Sequence, residues 1–422
     1  MEACFIRGSK QIYDEVHGYI EFTELEEKIV NNPYFQRLRN IAQLSLTHYI
    51  YPGATHTRFS HSIGVKHVSG KIGEILCKQG FLSRDELKLI RLAGLLHDIG
   101  HYPFSHALEH SFIELGGLAH EKLGEEIIMK TSISDLLKAE GYDPKEIADI
   151  IRGKHRNKLY NMILSSDVDA DRLDYLLRDS MHTGVAYGNI DVERIVNTIT
   201  VDHEGNLAVL RKGLESIENL YVARLHMYRS VYMHKSVVGF ELMLSKAYTT
   251  LYRKIGPQEG IIGPNEISEM LHSEEFVFFD DHYVLSALRK YRKDPRLSSA
   301  ERKLFDMVLL RKPLKTVFNE SSFSKAEIKT KHQRLRRCFE DLRNTEIVDS
   351  TIIYYGEITF FSKRNAISIV NKPGEKGVLI YDLKKVTLLS LLPTTYAVLR
   401  VYTFPEKAKE VERLVSTCFK KS

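Results

Sequence analysis

The segment DELKLIRLAGLLHDIGHYPFSH, residues 85–106, decides how the rest of the chain is interpreted. Leucine and isoleucine recur so densely through residues 85–99 that the pattern predicts a helix apolar around much of its circumference, central to a helical bundle. His97 and Asp98 follow at the end of this helix. Burying such a pair beside an apolar surface costs free energy unless the two side chains bind each other or a metal ion. The dipeptide alone leaves both explanations open.

Two other stretches supply side chains of the same chemistry. RFSHS (58–62) places His61 at the opening of another helix, and DVDADRLDY (167–175) is a carboxylate-dense helix start. Together the three stretches offer two imidazoles and two carboxylates, on His61, His97, Asp98 and Asp171. Mixed nitrogen and oxygen ligation with open water positions suits Fe, Mn, Ni or Zn better than Ca. The sequence therefore predicts a divalent transition-metal site.

Composition points the same way. Nine of the 18 histidines lie within residues 48–120, and histidine is both a neutral-pH acid/base and a common metal ligand. The 422 residues are 43% hydrophobic and 27% charged, which excludes a disordered chain. A net charge of +5 is too mild to indicate nucleic-acid binding by itself.

The cysteines and the hydropathy pattern bear on the compartment. Cys4, Cys77, Cys338 and Cys418 lie far apart and form no CxxC pair, so they predict neither a disulfide framework nor a cysteine zinc site. We expect a reducing, cytoplasmic compartment. No apolar run reaches the ~20 residues of a membrane helix, and the N-terminus has no signal-peptide pattern, so no membrane partner is expected.

The chain divides into two parts. Helical periodicity predicts a mainly α body over residues 1–343, and Thr23 with Glu26 forms the pattern of a capping box. Residues 344–422 predict a small C-terminal α+β lobe. Its predicted strands cover 347–361, 366–371, 377–382 and 396–403, and a helix follows over 406–419.

The order His61…His97-Asp98…Asp171 resembles the HD-domain metal-dependent phosphohydrolases, which implies an HD helical bundle with its core at about 48–180. HDIGHYPFSH (97–106) and the later pair His120-Glu121 look like the deoxynucleoside triphosphate triphosphohydrolases of that superfamily. These are relatives of the enzyme that joins a sterile-alpha-motif domain to an HD domain. YPGATHTRFSHSIGV (51–65), DVDADRLDYLLRD (167–179) and VYMHK (231–235) also have counterparts there. The resemblance covers about residues 10–255 and is closest to bacterial and archaeal forms.

This resemblance implies hydrolysis of a dNTP to deoxynucleoside and inorganic triphosphate. A metal on the four ligands would lower the pKa of a water molecule and polarise a phosphoryl oxygen. A nucleoside alkoxide is a poor leaving group, so an acid should protonate it, and His106 is the expected general acid. By resemblance His120 and Asp169 join it as catalytic residues. Mg is expected on the substrate triphosphate.

The same resemblance implies the substrate contacts. Arg58 and Arg172 would bind phosphate, since a guanidinium suits phosphate oxygens. Asp171, Tyr175 and Asp179 share one helix face. By resemblance, Tyr175 would pack under the deoxyribose and Asp179 would accept a hydrogen bond from the 3′-hydroxyl. The remaining predicted contacts are Gln43, Leu44, Arg224 and Tyr232. An ordinary tyrosine-rich packing interface is the alternative for the stripe that carries Arg224 and Tyr232.

Several members of the resembled family are homotetramers, dimers of dimers, activated by dGTP or GTP between subunits. The corresponding positions are Lys10, Asn31, Gln36, Arg39, Arg194, Lys212 and Lys235. Asn31 replaces an acidic residue of the family pattern, which weakens the expectation of guanine selectivity. The alternative is that all of these residues are ordinary solvated charges on the protein surface. A basic run over 325–337 is compatible with nucleic-acid binding but fits a solvated helix face better.

Two other functions stay open on the sequence. One is an HD phosphodiesterase or phosphatase acting on another nucleotide, which HDIGHYPFSH and His120-Glu121 disfavour. The other is a catalytically silent HD module that binds nucleotides or nucleic acid. The intact metal ligands and acid residues disfavour silence.

Overall fold

The computed structural model describes residues 4–340, 350–360, 366–380, 382, 389 and 392–420. These residues contain 18 α-helices and nine β-strands, so the protein is mainly α, as predicted. The helices of the first half are α1 (Glu24–Val30), α2 (Pro33–Gln36), α3 (Arg58–Lys78), α4 (Arg84–Leu96), α5 (His106–Glu114), α6 (His120–Lys130), α7 (Ser132–Ala139), α8 (Pro144–Ile151), α9 (Lys158–Leu164) and α10 (Ala170–Thr183).

The predicted central helix is α4. A capping box between Ser83 and Glu86 starts it, and it ends at Leu96, so His97 and Asp98 stand in the turn that follows. Its apolar side chains are buried, and α3 packs along it. The two helices approach so closely that a Cβ atom on Gly94 would lie 2.4 Å from the Ser69 hydroxyl. This packing brings the start of α3 beside the end of α4, where the site forms.

The second half of the chain surrounds this core with further helices. They are α11 (Val192–Val196), α12 (Leu214–Met227), α13 (Lys235–Lys254), α14 (Pro264–Met270), α15 (Asp281–Tyr291), α16 (Ser299–Leu309), α17 (Lys325–Glu340) and α18 (Ala408–Lys420). A π-helical turn over Tyr228–Tyr232 follows α12. Such turns are rare and often stand at functional sites.

Three small sheets complete the fold. β1 (Lys10–Asp14) and β2 (Gly18–Phe22) form an antiparallel hairpin. A four-stranded sheet has the order β3 (Ile199–Val201), β4 (Leu207–Leu210), β7 (Ser368–Val370), β8 (Val378–Leu379), with β4 and β7 parallel. A third, antiparallel sheet has β9 (Thr395–Thr403) between β5 (Lys315–Ser322) and β6 (Thr351–Thr359), and α17 and α18 pack on it.

The C-terminal region partly matches its prediction. Strands and a final helix occur where they were expected within the described residues. The prediction that helices continue to about 343 is wrong for Lys315–Ser322, which pairs with the central strand β9. Residues 315–322 have no strong helical periodicity of apolar residues, so pairing with a strand distant in sequence decides their structure. The boundary at 343/344 falls in 341–349, outside the described residues, and stays a prediction.

The prediction for the cysteines is wrong. Cys4 is bonded to Cys77, and Cys338 is bonded to Cys418. Each pair joins residues more than 70 positions apart, which spacing along the chain does not reveal. The expectation of a reducing, cytoplasmic compartment loses the support it drew from these residues. Among the described residues, no helix is both long and apolar enough to cross a membrane.

Candidate metal centre and active site

Four side chains from three helices converge on one point. His61 Nε2 lies 3.2 Å from His97 Nε2 and 3.0 Å from an Asp171 carboxylate oxygen. Asp98 places its two oxygens 3.3 Å from His97 Nε2 and 3.7 Å from His61 Nε2. Ligands bonded at about 2.0–2.2 Å to one tetrahedral or octahedral ion lie roughly 3 Å apart, so these separations suit a shared ion.

Local structure explains why these four meet. His61 lies on the first turn of α3, and His97 and Asp98 follow the last turn of α4. Asp171 is the second residue of α10, and Asp169 caps that helix by accepting the Arg172 backbone N–H at 2.7 Å. Both oxygens of Asp169 are engaged within this helix start, and Asp169 does not line the cavity described below. Its predicted catalytic role stays a prediction.

A second layer of buried polar groups orients His61. Its other nitrogen, Nδ1, lies 2.7 Å from the Asp174 carboxylate, which also contacts His17 Nε2 at 2.7 Å. Arg178 donates two hydrogen bonds of 2.9 Å to Asp174. All four side chains are almost fully buried. When a carboxylate accepts a hydrogen bond from the ring nitrogen that does not bind the metal, it fixes the tautomer of the imidazole and raises its basicity.

The electrostatics of this centre favour a cation. Burial alone would lower the pKa of His61, but hydrogen bonds to Asp171 and Asp174 outweigh it and raise that pKa to about 10. Burial opposes ionisation of Asp98, yet His97, Arg58 and His101 hold its pKa well below the usual range. A positive charge at the point shared by His61 and Asp171, a proton or a metal ion, is therefore strongly stabilised. The two-imidazole, two-carboxylate set fits a divalent transition metal.

A cavity of about 410 Å³ opens beside these ligands. It brings together most of the predicted residues: Gln43, Leu44, Arg58, Asp98, His106, His120, Asp171, Arg172, Tyr175, Asp179, Arg224 and Tyr232. It is also lined by Tyr228, from the stripe that carries Arg224 and Tyr232, and by residues that the sequence did not suggest: Ser45, Thr47, Ser105, Val237 and Glu241. Its volume is in the range of cavities that hold small ligands.

Two histidines share one carboxylate at the rim of this cavity. His106 Nδ1 lies 3.0 Å from Glu109, and His120 Nδ1 lies 2.6 Å from the other oxygen of Glu109. Because the carboxylate holds both Nδ1–H groups, each Nε2 is left to face other partners. Burial lowers the pKa of His120, but Glu109 more than compensates, so that pKa is raised. The group can hold and deliver protons.

Asp179 is the centre of a second hydrogen-bonded group. His56 Nε2 lies 2.7 Å from one of its oxygens, and the Tyr232 hydroxyl donates to the other at 2.8 Å. The rings of Tyr175 and Tyr232 meet edge to face with centroids 6.0 Å apart. The predicted helix face of Asp171, Tyr175 and Asp179 is therefore one wall of the cavity.

Three arginines line the same cavity. Arg58 Nη1 donates to Asp98 at 2.7 Å, and its Nε donates to the Ser105 hydroxyl at 2.9 Å. Arg172 is held by Asp169, and Arg224 Nη1 donates to the Phe360 carbonyl at 3.2 Å. The Nε atoms of Arg172 and Arg224 are buried without a hydrogen-bond partner in the described residues. A buried donor without a partner is costly, so these two guanidinium groups would gain from an anionic ligand that reaches them.

The predicted regulatory residues lie in four places. Arg39 Nε donates to Gln36 at 2.8 Å, near the start of the chain where Asn31 caps α1. Arg194 donates to the Lys212 carbonyl at 2.9 Å. Lys235 lines a separate groove, and Lys10 lies on β1. Within one chain these residues do not form a single site.

Sequence reasoning missed several residues of the site. They include His17, His56, Glu109 and Asp174. Two of them carried a usable signal, because Glu109 lies three residues after His106 and Asp174 lies three after Asp171, which places each pair on one helix face. His17 and His56 carried no such signal, since each contacts an aspartate more than 120 residues away in the sequence.

A helical bundle that directs two histidines and two aspartates to one point, beside a ligand-sized cavity, defines the class of helical proteins with a His/Asp metal centre. Residues 58–179 match the HD domain, and residues 190–420 match the HD associated region. The chain belongs to the HD-domain phosphohydrolase family, in the group that carries this associated region.

Individual relatives agree with this assignment. An uncharacterized protein of Methanocaldococcus jannaschii is 42% identical over 241 residues, covering 56% of this chain and 49% of that one. The deoxynucleoside triphosphate triphosphohydrolase SAMHD1 homolog of Dictyostelium discoideum is 34% identical over 282 residues, covering 63% of this chain and 54% of that one. The chain thus spans about half the length of these relatives. A solved phosphohydrolase of Bacteroides thetaiotaomicron superposes with a TM-score of 0.75 at 28% identity, covering 93% of this chain and 99% of that one.

Proposed function

We propose that this protein hydrolyses deoxynucleoside triphosphates to deoxynucleoside and inorganic triphosphate. The observation that carries the proposal is the content of one cavity. It holds the Asp98 and Asp171 ligands, the proton-handling His106 and His120, and the wall of Tyr175 and Asp179. A metal centre, an acid and a sugar-sized polar wall are the parts that this reaction needs. The similarity to a dNTP triphosphohydrolase homolog supports the same choice.

The chemistry is a displacement at the α-phosphorus. His61, His97, Asp98 and Asp171 would hold a divalent transition metal, which supplies Lewis-acid activation of the water and the phosphoryl group when bound. The water oxygen forms a bond to phosphorus as the water releases a proton to solvent, and the bond from phosphorus to the sugar O5′ breaks. His106, oriented by Glu109, gives the proton that the departing O5′ takes up.

The cavity walls would select and orient the substrate. Tyr175 would lie against the deoxyribose, where it would collide with a ribose 2′-hydroxyl. Asp179, already held by His56 and Tyr232, would accept a hydrogen bond from the 3′-hydroxyl. A carboxylate fixed by two partners loses little entropy when it binds a third.

Cationic side chains would bind the triphosphate, together with Mg on its oxygens. Arg172 and Arg224 each have a buried Nε without a partner in the described residues, which supports this role. Arg58 would contact phosphate while it stays paired with Asp98. Gln43 and Leu44 would complete the nucleoside side of the cavity.

We also propose regulation by dGTP or GTP in a homotetramer built as a dimer of dimers. A groove of about 470 Å³ supports an anion site, because Arg229, Lys235 and Arg400 line it. Arg400 is buried, and its Nη1 has no partner in the described residues. Arg39 and Gln36, which are hydrogen-bonded to each other elsewhere on the chain, would read the base of a nucleotide held between subunits.

One experiment tests the activity. Purified protein is incubated with each dNTP and NTP, with Mn or Mg, with and without dGTP, and the products are separated by chromatography. We expect deoxynucleoside and inorganic triphosphate from dNTPs, and little turnover of NTPs. Monophosphate with pyrophosphate, or no turnover under any condition, would contradict the proposal.

A further inference from the structure

A buried carboxylate outside the cavity holds two segments that line it. Asp281, the first residue of α15, accepts the Ala42 backbone N–H through Oδ2 at 2.9 Å. Its Oδ1 accepts the Phe104 backbone N–H at 2.6 Å. Those peptide groups lie 239 and 177 residues before Asp281 in the chain. One side chain thus joins two segments of the first half of the chain to a helix of the second half.

Both segments carry residues of the site. Ala42 precedes Gln43 and Leu44, which line the cavity. Phe104 lies in the turn that leads into α5, whose first residue is His106. A change in either peptide group would therefore displace a cavity side chain within one or two residues.

The turn before His106 has a backbone that needs support. Phe104 and Ser105 have φ angles of +54° and +49°, in the left-handed region that non-glycine residues seldom adopt. Such conformations persist where the surroundings impose them, and they cluster at functional sites. The Ser105 hydroxyl accepts a hydrogen bond from Arg58 Nε at 2.9 Å, and Arg58 in turn binds Asp98 at 2.7 Å. The strained turn is therefore linked to the metal centre.

The cost of burying Asp281 shows that these two contacts matter. Only 8% of the residue is exposed, and in the described part of the chain no cation forms an ion pair with it. The nearby Arg37 donates its Nε to the Phe279 carbonyl at 2.8 Å and acts on Asp281 through its charge without forming an ion pair. Burial raises the pKa of Asp281 to about 7, although the hydrogen bonds from Ala42 and Phe104 oppose the rise. Burying a carboxyl group costs free energy, and an apolar side chain would fill the same space without that cost. The two hydrogen bonds to the backbone are therefore what Asp281 contributes.

We propose that Asp281 is a positioning residue of the active site, which sets the Gln43 segment and the His106 turn relative to each other. It touches no substrate and acts through the two peptide groups that it holds. The effect on catalysis rests on the proposed function, whereas the effect on the two segments rests on the hydrogen bonds alone.

The test compares Asp281→Asn with Asp280→Asn. An asparagine side chain at 281 can accept a hydrogen bond from only one of the Ala42 and Phe104 N–H groups, and it turns its NH₂ group towards the other. Asp280 caps α15 through the Tyr283 N–H at 3.0 Å, and asparagine caps a helix about as well as aspartate, so this neighbour is a matched control. We expect Asp281→Asn to lower kcat for dNTP hydrolysis about 10- to 100-fold with bound metal retained, because small misplacements of catalytic groups are that costly. KM should change less than kcat, and Asp280→Asn should stay within about twofold of the parent protein.

Amide hydrogen exchange gives a readout that does not depend on activity. In Asp281→Asn, peptides containing Ala42 and Phe104 should exchange faster, while peptides from α8 and α9 keep their rates. If Asp281→Asn does not fold, Asp281→Ser, which is smaller and retains one acceptor, is measured in the same way. Unchanged exchange in these two segments, or a kcat equal to that of Asp280→Asn, would overturn the proposal. A parent protein that exchanges as expected but hydrolyses no dNTP would sink the proposed function and leave the positioning role standing.

Discussion

Asp171 and Asp174 divide one turn of α10 between two tasks. Asp171 faces the point shared by the four ligands, with an oxygen 3.0 Å from His61 Nε2. Asp174, three residues later, holds the opposite nitrogen of the same imidazole at 2.7 Å. Three residues on a helix return to nearly the same face, so one imidazole can lie between them. At this scale the site is a set of carboxylates that fix histidines, and Glu109 repeats the arrangement with His106 and His120.

Replacing a metal ligand and replacing the general acid should have different effects on metal binding. Asp171→Ala should abolish both metal binding and turnover, because it removes one of four ligands. His106→Ala should retain the metal while the rate falls about 10²- to 10⁴-fold, the usual contribution of a general acid. Metal content by elemental analysis and kcat from product release are the two measurements. Unchanged turnover in His106→Ala would remove this residue from the mechanism.

Glu109 should set the pH dependence of the rate. Burial acts to lower the pKa of His120, and the Glu109 carboxylate raises it above the ordinary value. The protonated form of His120 therefore persists to higher pH than in water, and activity that needs it is lost only above the raised pKa. Glu109→Gln removes the negative charge, so the alkaline limb of the pH–rate profile should move to lower pH.

The control for this shift is Glu114→Gln on the same helix, since Glu114 is exposed and pairs with Arg253 at 2.7 Å. It should leave the profile unchanged. An alkaline limb that stays in place in Glu109→Gln would show that His120 and Glu109 do not govern it.

At the scale of elements, the site depends on how closely α3 and α10 approach. His61 on α3 reaches Asp174 on α10 because α3 carries Gly64 at the crossing. A Cβ atom there would lie 1.8 Å from an Asp174 oxygen and 2.5 Å from Arg178 Nη2. Real atoms do not approach so closely, so only glycine permits this contact. The glycine therefore serves the metal centre through the helix packing.

Gly64→Ala tests this packing. Alanine normally stabilises a helix interior by about 1 kcal/mol relative to glycine. Here the overlap with Asp174 should instead lower the free energy of unfolding by about 2–3 kcal/mol and weaken metal binding. Gly124→Ala in α6 is the control, because its Cβ would meet its nearest atom at an ordinary 3.5 Å. Denaturant unfolding and metal titration are the measurements, and equal behaviour of the two variants would contradict the claim.

At the scale of the whole molecule, locally encoded features were predictable and distant pairings were not. The apolar periodicity of α4, the Thr23 capping box and the helix face of Asp171 and Tyr175 are all properties of short segments. The parallel pairing of β4 with β7 joins Ala208 to Ser368, and no local pattern records it.

The same limit applies to the site. Residues within one motif, such as His97 and Asp98, could be assigned from their spacing. His17, His56 and Asp281 act through contacts across more than 100 residues, and their side chains alone do not distinguish them from other polar residues. The disulfides belong to this second group, since each closes a loop of more than 70 residues.

Reduction should destabilise the protein as a whole. Closing a long loop restricts the unfolded chain, and losing a native disulfide typically costs about 2–5 kcal/mol. We expect dithiothreitol to lower the Tm of the parent protein. The double variant Cys338→Ser/Cys418→Ser has only one disulfide left to reduce, so dithiothreitol should lower its Tm by less. A Tm that is the same with and without reductant would contradict this expectation.

The most direct test of the central claim is hydrolysis of a dNTP in water enriched in oxygen-18. Attack of water on the α-phosphorus should place one labelled oxygen in the inorganic triphosphate and none in the deoxynucleoside, as read by mass spectrometry of both products. Label in the deoxynucleoside, or in orthophosphate or pyrophosphate released in place of triphosphate, would contradict it.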